Sequence, residues 1–132
     1  LGKQRVEAYQ ILNVLLGRTE TKGWVNHPIT KMWKGYENAL KQYLNECIDE
    51  WVAQGYNNNM VKENIDGDII YPHWLGNDLF HSSHRANLLR KDKEYYSKYM
   101  WAEDSSEPYC WYDTDKQQWY KQKVGTGERK YI

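Results

Sequence analysis

The chain has 132 residues, a formal net charge of zero and a mean hydropathy of −0.98. That length suits one soluble domain with a single core, and no apolar run approaches the roughly 18–20 residues of a membrane span. Two cysteines without a CxxC pair, Cys47 and Cys110, argue against a disulfide scaffold or a cysteine zinc site, and they suit the cytoplasm.

Residues 1–16 read as an amphipathic helix, because Ala8, Ile11, Leu12 and Leu15 recur at helical spacing. Gly17 ends it, and residues 17–23 (GRTETKG) read as a polar loop. The opening lacks the basic start and purely apolar segment of a secretory signal. Lys3, Gln4, Glu7 and Gln10 share one side of this helix, with Arg5 on the opposite flank. On spacing alone, Lys3 and Glu7 form a solvated pair contributing about 0.2–0.5 kcal/mol.

The next segment predicts one long helix from about Pro28 to about Gln54. Asn26 or His27 can cap it, Pro28 fits the first helical position, and Gly55 fits just past the end. Ile29, Met32, Trp33, Tyr36, Leu40, Tyr43, Leu44, Cys47, Ile48 and Trp51 form its apolar stripe. Trp33, Tyr36, Leu40, Leu44 and Trp51 are therefore expected to be largely buried, and Cys47 to be a small core residue. Gly35 inside a helix costs about 1 kcal/mol relative to Ala, which predicts a second element crossing closely there.

Residues 56–77 are turn-rich and read as irregular. Residues 78–91 (DLFHSSHRANLLRK) predict a third main helix capped by Asn77 or Asp78, and Asp92 starts a short fourth one through 93–101. From Glu103 onward the chain reads as loop or short hairpin. Strands are scarce, so the expected class is all-α: one compact domain over 1–132, with three main helices, long loops and a loop-rich extension over 102–132.

The charge is unevenly spread. Arg85, Arg90, Lys91, Lys93 and Lys98 face only Asp92 and Glu94 within 79–101, and Lys121 and Lys123 lie in a second basic stretch over 116–132. Seven Trp and twelve Tyr stand beside a single Phe. Such rings suit either a core or a base-stacking surface, and core packing is the simpler reading for most of them. Trp111, Trp119 and Tyr120 are stacking candidates on the same terms.

No phosphate-binding glycine loop and no GxSxG elbow is present. His81 and His84 sit three apart on one helical face near His73, but no fourth zinc ligand stands at an obvious position. The competing reading places His81, His84 and Arg85 on one exposed face, donating hydrogen bonds to phosphates or a carboxylate.

Five blocks in order, LGKQRVEAYQIL, GWVNHP…MWKGYENAL, EWVAQGYN, WLG…FHSSHRANLLRKD and PYCW, resemble the pyrimidine dimer DNA glycosylase (endonuclease V) family. Its phage and bacterial branch is the more similar. The resemblance runs from Leu1 to about Trp111. It implies a compact, mainly helical domain that excises ultraviolet-induced pyrimidine dimers from double-stranded DNA, as a monomer, without metal or other cofactor and without a membrane. It also implies an N-terminal α-amino nucleophile that attacks the sugar C1′, forms a Schiff base and permits strand cleavage by β-elimination, an AP lyase activity.

The block LGKQRVE places Glu7 at the family's assisting carboxylate. The nucleophile is expected in a segment before Leu1, which begins inside the first helix. Phosphate contacts are carried over as candidates at Lys3, Arg5, His84, Arg85, Arg90 and Lys91; for Arg5 an ion pair with a distal carboxylate is an equal alternative. The second class of function is a non-catalytic nucleic-acid-binding or interaction module that keeps the fold, and a third is a glycosylase for another modified base.

Overall fold

The computed structural model describes residues 1–19 and 25–132. The predicted polar loop over 17–23 lies outside the described residues from residue 20 onward. Contacts gather into two compact units, Leu1–His73 and Trp74–Ile132.

In the first unit, α1 (Gly2–Leu15) packs against α3 (Glu37–Ala53), with the short α2 (Pro28–Trp33) between them in sequence. Ala8, Ile11 and Leu12 from α1 meet Leu40, Leu44 and Ile48 from α3 in a buried cluster, flanked by Leu15, Ile29, Trp33 and Met60. His27 caps α2, its Nδ1 accepting from the Ile29 N–H at 3.1 Å, and Pro28 follows at the first helical position. α3 closes with Gly55 in the left-handed region (φ +86°). The Gly55 N–H reaches the Val52 carbonyl and the Tyr56 N–H reaches that of Trp51, so two end carbonyls are satisfied.

The predicted single helix over 28–54 is two helices. Lys34 leaves helical geometry and Gly35 takes φ +91°, a conformation that costs a residue with a Cβ about 1–2 kcal/mol. Among the described residues nothing lies within 4 Å of where a Gly35 Cβ would stand, so none of their elements crosses closely there. Gly35 is present to turn the chain. The stripe is correspondingly less buried: Leu40, Leu44, Cys47 and Ile48 are buried, whereas Trp33, Tyr36 and Trp51 are only half-buried. Gly35→Ala is expected to lower unfolding free energy by about 1–2 kcal/mol; an unchanged urea midpoint would show that the turn does not depend on glycine.

Residues 56–73 are irregular but tied along α3. Asn45 donates to the Glu63 carbonyl (2.9 Å) and accepts from the Glu63 N–H (2.7 Å). Asn38 donates to the carbonyls of Asp66 and Asp68, Lys41 to that of Asn64, and Tyr71 Oη to Gln42.

The second unit holds α4 (Asp78–Lys91), the single-turn α5 (Lys93–Tyr96) and a following 3-10 turn (Ser97–Tyr99). Asn77 caps α4 through the Phe80 N–H (2.9 Å), and Asp92 caps α5 through that of Tyr95 (3.1 Å). A three-stranded antiparallel sheet follows in the order β1 (Tyr109–Asp113), β2 (Gln118–Gln122), β3 (Arg129–Tyr131). This sheet overturns the all-α expectation; the fold mixes helix and antiparallel strand. Aromatic residues with high strand propensity fill it, with Trp111 opposite Tyr120 and Tyr112 opposite Trp119.

α4 sits on β1, and its buried residues Phe80, Ser83, Ala86 and Leu89 recur at three-residue steps. The fully buried Ser83 hydroxyl donates to the Phe80 carbonyl and accepts from the Cys110 N–H at 2.9 Å. That pairing leaves neither group unsatisfied.

Candidate nucleic-acid site on the first helix

Along the exposed start of α1, an open depression of about 510 Å³ is lined by Gly2, Lys3, Arg5, Val6, Glu7 and Gln10. Its two flanks differ. On one, the Arg5 guanidinium lies 4.4 Å from the Trp51 ring centre and donates to Asn58 Oδ1 at 2.5 Å. Gly2 permits this close approach, since a Cβ there would stand 3.0 Å from the same ring. Trp51 is itself fixed by stacking on Tyr56 and by its Nε1–H donating to the Asn57 carbonyl at 2.6 Å. Arg5 is thus held by an aromatic face and an amide, not by the distal carboxylate considered from sequence.

On the other flank, Glu7 faces His27 and Tyr43. Burial lowers the His27 pKa below its ordinary 6.5, and the Glu7 carboxylate opposes part of that shift. A protonated Nδ1 could no longer accept from Ile29, so the cap is present above about pH 6.5 and is lost as pH falls. The Tyr43 hydroxyl is pushed well above its ordinary value, first by burial and then by the Cys47 thiol, with Glu7 adding in the same direction. Its ring keeps 36 % exposure while its hydroxyl end packs beside Cys47 and Gln4. Glu7 itself is exposed at the rim, and Lys3 lies exposed in the same lining.

The other sequence candidates lie in the second unit and are largely engaged in its fold. Arg85 Nε donates to Glu103 Oε1 at 2.6 Å, and its Nη2 lies 2.6 Å from the same oxygen. Arg90 donates to the carbonyls of Ser105 and Glu107 and to Asn87 Oδ1. His84 Nδ1 lies 2.8 Å from the Phe80 carbonyl, with its ring against Phe80, Tyr109 and Trp111. His81 Nε2 accepts from the Gly76 N–H at 2.9 Å. Lys91 is exposed at the end of α4. Trp111 and Tyr120 are buried, and Trp119 is half-buried against Phe80 and Tyr112. Their rings build the second core.

The Arg85 hydrogen bond holds the Glu103 carboxyl below its ordinary 4.5. A depressed carboxyl stabilises the fold above about pH 4.5 and loses that contribution as pH falls through its folded value. Arg85→Ala is therefore expected to lower the thermal midpoint at pH 7 and to shrink that loss between pH 5 and 3. Equal midpoint losses on acidification in both proteins would detach Glu103 from Arg85.

Residues 1–64 match the family model described as pyrimidine dimer DNA glycosylase. Over these residues the chain is similar to that family. The glycosylase match covers α1, α2, α3 and the start of the tied segment, and with them Lys3, Arg5 and Glu7. It stops well short of Trp111, so His84, Arg85, Arg90 and Lys91 stand outside it. No curated protein and no solved structure matches the chain. Among the described residues, no helix is long and apolar enough to cross a membrane.

Proposed function

We propose that the protein is a DNA glycosylase with associated lyase activity, acting on pyrimidine dimers in duplex DNA, with Glu7 as the assisting carboxylate. The observation that carries this reading is Glu7 on a family-matched helix, at the rim of an open depression that also holds Lys3 and Arg5. Phosphates approach the cations, which leaves the carboxylate beside the sugar.

The nucleophile in this reading is the α-amino group of the native chain. Its pKa near about 8 leaves a neutral fraction at pH 7 that a lysine amine lacks. The amine bonds to C1′ as the bond from C1′ to one base of the dimer breaks; that base takes up a proton and stays joined to its neighbour. Ring opening gives the Schiff base, and β-elimination then releases the 3′ phosphate. A carboxylate stabilises the positive charge that develops on the sugar and carries protons between these steps.

The test is borohydride trapping with the full native chain on ultraviolet-irradiated duplex DNA. A covalent adduct on irradiated but not on intact duplex is expected, and blocking the terminal amine should abolish it while binding persists. Binding without any adduct would favour the second reading, a non-catalytic nucleic-acid module. That reading draws on Arg85 and Arg90 being spent on internal contacts.

A further inference from the structure

With Trp111 and Tyr120 in the core, the two exposed aromatic residues of the second unit, Tyr95 and Tyr99, lie together. Tyr95 and Tyr99 are each 50 % exposed, and Tyr96 and Trp101 are half-buried beside them. Trp101 lies nearly parallel to Tyr96, at 14° with centres 5.8 Å apart, and to Tyr99, at 18° and 5.2 Å, while those two tilt 31° to each other and Tyr95 stands edge-on to both. Lys98 extends over this group, its ammonium 3.8 Å from the Tyr95 ring centre and 5.2 Å from that of Tyr99.

The backbone builds the group deliberately. Met100, 88 % exposed, takes the left-handed conformation (φ +54°), which turns the chain so that Trp101 falls back on Tyr96 and Tyr99. A non-glycine residue in that region is strained, and such strain concentrates at functional surfaces. No acid lies within ion-pair distance of Lys98 among the described residues, Glu94 one turn before it included, and the Asp92 carboxylate caps α5.

We propose that Tyr95, Tyr96, Tyr99 and Trp101 form a stacking platform for unpaired bases of a DNA strand, with Lys98 meeting the adjacent phosphate. The chemistry is that of a single-strand surface: ring faces that accept any base, beside a cation that follows the backbone. A purely apolar partner would leave the Lys98 charge unanswered, whereas a nucleic-acid strand supplies both the rings and the anion. The proposal rests on the reading that the protein works on DNA, where a distorted lesion site offers unstacked bases.

Two probes separate stacking from charge: an oligothymidylate, and a deoxyribose-phosphate chain of the same length without bases. The intact full chain should bind the oligothymidylate more tightly. Tyr95→Leu with Tyr99→Leu should weaken that binding about ten-fold or more while leaving the baseless chain unaffected. The matching Phe replacements keep the ring faces and should retain affinity. Lys98→Gln should reduce the slope of log affinity against log salt by about 0.7 on both probes.

Equal binding of the two probes by the intact protein overturns the platform, as does a Leu pair with native affinity. A Phe pair as weak as the Leu pair also overturns it, because the hydroxyls would then be the contact. Borohydride trapping on irradiated duplex reads the glycosylase proposal separately. Trapping can therefore fail while oligothymidylate binding follows the ring variants, and the converse would sink the platform alone.

Discussion

Glu7→Gln in the full native chain is expected to abolish cleavage of irradiated duplex while keeping DNA affinity, or raising it by removing repulsion from phosphate. The carboxylate stands at the rim of a depression whose lining among the described residues also includes Lys3 and Arg5. In the proposed mechanism, losing it removes the group that stabilises positive charge on the sugar, and removes one negative charge beside the proposed phosphate contacts. The same variant carries an internal reporter of geometry. Glu7 raises the His27 pKa against the effect of burial, so the His27 ring should titrate lower in Glu7→Gln when followed by NMR. Cleavage at the native rate would remove Glu7 from the mechanism. An unmoved His27 would separate the two side chains.

Leu44→Ala is expected to cost about 2–5 kcal/mol of stability, measured by urea unfolding. Leu44 is fully buried at the centre of the cluster that α1 and α3 share. Truncation leaves a cavity between two helices whose spacing is also fixed away from Leu44, by Arg5 of α1 against Trp51 of α3, while α3 is tied to Glu63. Neither can readily collapse into the gap, which favours the upper part of the range. A loss under about 1 kcal/mol would show that the helices close over the void.

The helices were legible where local chemistry marks their ends. Asn77 caps the start of α4, Asp92 at its end caps the start of α5, and His27 with Pro28 starts α2 as its residue types suggest. The break at Gly35 was not legible, because Trp33 and Tyr36 stay three apart across it and the apolar stripe continues in phase. The sheet was legible only as the alternative of a short hairpin after Glu103, for two reasons. Its first turn has no glycine: Gln117 takes φ +54°, and the Asp113 carboxylate accepts from the N–H groups of Asp115 and Lys116. In β1 both Cys110 and Trp111 are buried, which erases the alternation that marks a half-buried strand.

The site divides in the same way. Glu7 stood out only through the family resemblance, since on spacing it pairs with Lys3. Arg85 and Arg90 read as free cations because their partners Glu103, Ser105 and Glu107 lie 15 to 18 residues onward, in a stretch without periodicity. Basic residues on an amphipathic helix look alike in sequence whether they meet a phosphate or a carbonyl. Only the tertiary partner distinguishes them.

The Asn45 amide has a consequence for how this chain can change over time. By donating to and accepting from the same residue, Glu63, it reproduces with a side chain the rung that a neighbouring strand would offer. The path of the segment after α3 is therefore written on the outer face of the helix, at Asn38, Lys41 and Asn45, more than in the segment itself. These contacts grip backbone atoms, so the segment can exchange nearly all its side chains and keep its course. A single substitution at Asn45, on a face that looks free to drift, would instead let go of the main chain 18 residues downstream.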